Sequence, residues 1–88
     1  MSQDEPTYYQ IEFHQPAHLK LYVLRSGAGD RRLVDEYEYD YEKGQQAEQG
    51  AIATIAHQYP GAVRIFSSQM EAELKRRWSG EYTIWQRP

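Results

Sequence analysis

Few side chains in this sequence could do chemistry, and their spacing limits what that chemistry would be. Cysteine is absent, which removes disulfides, thiolate zinc sites, iron–sulfur ligation and cysteine nucleophiles together. Three histidines are present, His14, His18 and His57. His14 and His18 stand four positions apart across a proline turn, a spacing that could aim both rings at one metal ion. Two imidazoles without a carboxylate or thiolate nearby make a poor site, so both read as solvent-facing turn histidines. His57, between Ala56 and Gln58, reads as a surface helix residue. Ser67-Ser68 falls at a strand-to-helix turn, where a nucleophile elbow would sit, but the glycines of such an elbow are missing from Ile65-Phe66-Ser67-Ser68-Gln69. Ser68 followed by Glu71 matches a capping box instead, hydroxyl and carboxylate each satisfying an orphan amide. The free amides of that helix start, with Arg64 near in sequence, could also take an anion. Gly27 and Gly29 lack the Lys-Ser/Thr pair and the following helix of a phosphate loop. No catalytic residue, no metal ligand set and no cofactor is expected.

Two stretches carry binding potential. In Asp35-Glu36-Tyr37-Glu38-Tyr39-Asp40-Tyr41-Glu42 acids alternate with tyrosines. On a strand this separates a half-buried tyrosine row from an acidic row facing water. Acids on alternate residues recur at roughly 6.6–7 Å, close to the spacing of phosphates along a nucleic-acid strand. Glu36, Tyr37, Glu38, Tyr39, Asp40 and Tyr41 are therefore a candidate protein-binding edge or face, although acids on an edge strand also blunt aggregation. The second stretch is Lys75-Arg76-Arg77, at a helix end where the dipole favours cations by about 0.3–1 kcal/mol each. Joined with Arg64, Tyr82 and Trp85, these residues form a candidate patch for nucleic acid or an acidic partner.

The elements that must position these residues follow from the period of the apolar side chains. Tyr9, Ile11 and Phe13 alternate with Gln10, Glu12 and His14, and Leu19, Leu21 and Val23 alternate with Lys20, Tyr22 and Leu24. Residues 33–42 alternate in the same way. Three period-two runs joined by short turns at Pro16 and at Gly27 and Gly29 read as an antiparallel meander. The period then changes: Ala47, Ala51, Ile52, Ile55, Ala56 and Tyr59 form a helical stripe that Pro60-Gly61 stops. Residues 62–66 read as a short buried strand. Met70, Leu74 and Trp78 form the stripe of a second helix, and residues 81–86 close the chain as a fifth strand. The expected fold is α+β, a five-stranded mixed sheet in the order βββαβαβ with both helices mainly on one face. Residues 1–7 read as a flexible tail and residues 8–88 as one domain. The expected core is Ile11, Phe13, Leu21, Val23, Tyr39, Ala51, Ile52, Ile55, Val63, Ile65, Leu74 and Ile84.

This element order resembles the ribonuclease H-like fold, which runs three antiparallel strands, helix, strand, helix, strand. The local likeness lies in Ala47-Glu48 and in residues 63–69. The resemblance implies metal-holding acids in the first strand, the first helix and near the fourth strand. This chain offers Glu12 on the polar side of the first strand and Ser67-Ser68 after the fourth, so only Glu48 matches. Two-metal phosphoryl chemistry needs several converging carboxylates, so the resemblance implies a catalytically degenerate domain.

Composition bounds the rest. The chain has 88 residues, 40% of them hydrophobic, with 14% aromatic residues and a net charge of −3. A chain this short buries roughly 60% of its extended surface, enough for one modest core. The aromatic content argues against disorder. Residues 1–60 carry ten acids against five Lys and Arg, and residues 61–88 carry three against five. That balance is unlike the strongly basic one of a duplex binder. No apolar run approaches a membrane span, and the polar N-terminus reads as no signal peptide, which points to the cytoplasm and to no membrane partner. The expected function is a small non-catalytic protein-interaction module that binds another protein or its own copy as a homodimer. The alternative is a nucleic-acid-associated, ribonuclease H-like protein, and the third reading is a metal-dependent hydrolase built on Glu48 with His14 or His18.

Overall fold

The computed structural model describes residues 6–77. Strands β1 (Tyr8–His14), β2 (His18–Leu24) and β3 (Arg32–Glu38) come first. A 3-10 turn (Tyr41–Lys43), helix α1 (Gly44–Gln58), strand β4 (Val63–Arg64) and helix α2 (Ser67–Arg77) follow. Among the described residues the sheet has four strands in the order β3-β2-β1-β4. β1 and β2 pair antiparallel from Tyr8↔Leu24 to His14↔His18, with Gln15-Pro16-Ala17 as the hairpin tip. β2 and β3 also pair antiparallel, with a bulge opposite Leu21 and Tyr22. β4 joins β1 in parallel through Tyr8↔Val63 and Tyr9↔Arg64, as a helical crossover allows. The α+β class and the mixed sheet therefore stand. The expected fifth strand at residues 81–86 lies outside the described residues, as do Trp78, Tyr82, Ile84, Trp85 and residues 1–5.

The two helices do not share a face. Tyr9, Ile11, Leu19, Leu21 and Val23 pack with Ala47, Ala51 and Ile55 of α1. Leu24 packs with Ile65 and Met70, and Tyr8 and Leu74 lie against that second cluster. Tyr8 and Leu24 are register partners one residue off from Tyr9 and Val23, and a single step in a strand changes face. α1 thus covers one side of the sheet and α2 the other, which corrects the expectation of helices on one face. This also explains why Leu24 and Gln10, expected on the wet side, are buried.

Other boundaries differ for local reasons. β3 stops at Glu38 rather than Glu42, because its partner β2 begins at His18. The last ladder bond runs from the Tyr39 N–H to the Ala17 carbonyl, 3.0 Å away. Tyr39 and Asp40 are loop residues, and Tyr41 opens the 3-10 turn. β4 is only two residues long. It lies at the sheet border of the described residues, so Val63 is exposed rather than core. Phe13 is also exposed, because it sits at the hairpin end of β1, which β4 flanks only at Tyr8 and Tyr9. The remaining expected core holds: Ile11, Leu21, Val23, Ala51, Ile55 and Ile65 are buried, while Tyr39, Ile52 and Leu74 pack partly buried against them. α1 ends where the Tyr59 N–H closes on the Ile55 carbonyl at 2.7 Å, and Gly61 then takes a φ of 87° that suits glycine alone.

α2 begins at Ser67, one residue before the expected cap. Gln69 Oε1 accepts the Phe66 N–H at 2.9 Å, and the Met70 N–H donates to the Phe66 carbonyl at 2.8 Å. Phe66 is therefore the cap position and Gln69 the residue that reaches back, the returning half of a capping box. Ser68 is an exposed residue of the first turn and not the cap.

Candidate functional site

The chemistry-bearing residues meet at the hairpin end of the sheet. Glu12, His14, His18, Lys20 and Glu36 lie on the face that α2 covers only at its far end. Each histidine has a carboxylate. His14 Nε2 is 3.0 Å from Glu12 Oε1, and His18 Nε2 is 2.7 Å from Glu36 Oε2. The two rings meet edge-on with centroids 6.3 Å apart. The expectation that they lack a carboxylate neighbour is corrected: Glu12 stands two residues before His14 on the same face of β1, and strand pairing makes Glu36 a diagonal neighbour of His18. Among the described residues no three His, Asp or Glu side chains converge on a point that could hold a metal ion.

Behind this pair runs a polar chain centred on the buried Gln10. Gln10 is 2% exposed and every group of its amide has a partner. Its Oε1 accepts from Arg31 Nη1 at 2.6 Å, and its Nε2 donates to Ser67 Oγ at 3.1 Å and Glu12 Oε2 at 3.3 Å. Arg31 also reaches Glu12 at 3.0 Å, its guanidinium lying 3.8 Å from the centre of the Tyr22 ring. Burial pushes the Glu12 carboxyl upward, but the hydrogen bonds and charges of Arg31 and His14 together outweigh it and hold the group below its ordinary range. Ser67, at the turn where the glycines of a nucleophile elbow are missing, thus fastens the start of α2 to β1.

Two concavities flank the Gln15-Pro16 tip. One, of about 490 Å³, is bounded by His18, Lys20, Glu36 and Glu38. The other, of about 400 Å³, is lined by Phe13, Pro16, Tyr39, Tyr41, Gln45 and Glu48. Tyr41 is 78% exposed and Phe13 48%. Sequence reasoning missed this aromatic hollow because it counted Phe13 as core. The signal that could have found it is the turn at Pro16, three residues after Phe13, which puts Phe13 near a strand end.

The acidic-aromatic stretch is divided by the fold. Tyr37 is buried enough to donate its hydroxyl to the Ala47 carbonyl at 2.9 Å, and burial, with the Asp35 charge, pushes its phenol above the ordinary value. Glu36 pairs with His18, Glu38 stands exposed, and Asp40 lies 3.9 Å from Lys43. Among the described residues β3 is a border strand, and Asp35 Oδ1 accepts the Glu36 N–H at 2.9 Å. One amide along that border is therefore already taken, and the even row of acids ends where the strand does.

Among the described residues of the expected basic patch, Arg64 is not brought together with Lys75, Arg76 and Arg77. Arg64 lies on the α1 side, where its Nη1 meets Glu48 Oε2 at 2.6 Å. Arg76 and Arg77 belong to α2 on the other side and share Glu73. Arg77 donates to the Arg25, Ala28 and Pro6 carbonyls at 2.8, 3.0 and 3.3 Å. Lys75 is exposed on the same helix, and Tyr82 and Trp85 lie outside the described residues. Position explains the split: β4 presents successive side chains to opposite faces, so Arg64 cannot join α2. The same ion pair occupies Glu48, the one acid matching the ribonuclease H-like pattern.

No family model, curated protein or solved structure matches the chain. Function therefore rests on the site itself. No helix among the described residues is long and apolar enough to cross a membrane.

Proposed function

We propose that this chain is a non-catalytic protein-interaction module that captures a basic segment of a partner protein at the hairpin end of its sheet. The observation that carries the reading is the pair of concavities astride Gln15-Pro16, one lined by exposed rings and the other bounded by Glu36 and Glu38. Exposed aromatic groups clustered beside acids are the kind of surface that anchors a partner, and acids of one sign set its charge. Glu38, Asp40, Tyr41 and Glu42 are all exposed there. The partner is bound by side chains rather than by strand addition, since Asp35 occupies an amide of the border strand. Like charges on β3 also oppose self-pairing through that strand, so a second copy would have to use another surface.

A nucleic-acid-associated, ribonuclease H-like domain is the second reading, favoured by β4 running parallel to β1 after α1. Fluorescence anisotropy separates the two. A labelled Arg/Lys-rich peptide should bind, and more weakly as salt rises, while labelled oligothymidylate should not. Salt-sensitive binding of the oligonucleotide with none of the peptide would replace the first reading with the second.

A further inference from the structure

We infer that the aromatic hollow beside the hairpin tip receives an arginine side chain of the partner, an assignment that rests on the interaction reading above. The hollow, of about 400 Å³, is walled by Phe13, Tyr39 and Tyr41, with Pro16 and Glu48 beside them. Phe13 and Tyr41 present much of their ring surface to solvent, at 48% and 78% exposure. Tyr39 is held against α1, close over Gly44: a Cβ there would meet the ring at 3.5 Å.

The charge around the rings selects a cation. Asp40 and Glu42 flank Tyr41 in sequence and are exposed. Lys43 stands 3.9 Å from Asp40, and Glu48 keeps one oxygen beyond the one that Arg64 holds. Glu48 is the carboxylate that lines the hollow, where an anion would be repelled, and the exposed Asp40 and Glu42 add negative charge beside Tyr41. A cation placed over a ring face is instead attracted by both ring and acid. The chain already makes this contact internally. Arg31 lies 3.8 Å from the Tyr22 ring centre, Arg64 lies 5.3 Å from Phe66, and Arg77 lies 6.0 Å from Tyr8. Guanidinium fits better than ammonium, being planar, more weakly hydrated and able to stack.

N-acetyl-L-arginine methylamide is the probe, titrated into the whole chain and followed by the aromatic NMR signals. Saturable shifts should appear at Phe13, Tyr39 and Tyr41. Tyr41→Ala and Phe13→Ala, both at exposed positions, should each weaken binding by roughly two- to fivefold. The neutral isostere N-acetyl-L-citrulline methylamide should leave the rings unmoved. Equal shifts from the citrulline compound, or binding unchanged by Tyr41→Ala, would overturn the assignment. A basic peptide that binds while these rings stay unmoved removes the arginine site and leaves the interaction reading standing. Saturation of the rings by the arginine compound, with no basic peptide bound, keeps the arginine site and removes the partner reading.

Discussion

Glu12 holds three side chains, accepting from Arg31, Gln10 and, through its other oxygen, His14. These contacts keep its folded carboxyl below the ordinary range although burial pulls the other way. A carboxyl that titrates lower when folded contributes stability above the unfolded value of about 4.3 and loses it as pH falls through the lower folded value. Urea unfolding at neutral pH and at about pH 3 should therefore show an acid loss of stability that is smaller in Glu12→Gln than in the parent chain. An equal loss in both would mean that Glu12 has no part in the acid response. The Gln69 carboxamide gives a second test. Gln69→Ala should destabilise by about 0.5–2 kcal/mol, the usual cost of a lost cap, whereas Ser68→Ala should stay within about 0.5 kcal/mol. Chemical denaturation of both variants compares them, and the reverse order would restore Ser68 as the cap. The sequence carries the capping signal in either case. A shift of two residues changes which side chain executes it, and periodicity does not resolve that shift.

At the scale of elements, α2 makes few side-chain anchors into the second cluster, chiefly Met70 and Leu74. Arg77 adds three hydrogen bonds to backbone carbonyls before β1 and between β2 and β3. Arg77→Met should destabilise by about 1–3 kcal/mol through those lost charged bonds. Amide hydrogen exchange should quicken along α2 more than along α1. Uniform exchange in both helices would show that Arg77 does not fasten α2. The meander and α1 were legible because period two and period 3.6 are strong signals in residues 8–14, 18–24 and 44–58. The side of the sheet that each helix takes was not legible. It depends on Leu24 and Tyr8 facing opposite to Val23 and Tyr9, and alternation alone does not say which face meets which helix. The separation of Arg64 from Arg77 was not legible for the same reason, since it depends on which side of the sheet each one takes.

For the whole molecule, the acids and rings at the hairpin end are the surface most ready to meet a partner. The sequence pointed to the acids and tyrosines of residues 35–42. It did not show that Phe13 and Pro16 would join them, because that depends on how the β1–β2 hairpin end lies against the start of α1. Glu38→Lys, at an exposed position outside the ion pairs described, should weaken a basic peptide by several-fold while leaving the urea midpoint nearly unchanged. Parallel anisotropy and unfolding measurements check this, and undiminished peptide binding would exclude Glu38 from the surface. The most direct test of the central claim is backbone-amide NMR mapping with an unlabelled Arg/Lys-rich peptide. The expected shifts gather at residues 12–18 and 36–45, around the two concavities. Shifts that gather instead on α2 around Lys75 and Arg76, with the hairpin end silent, would contradict it.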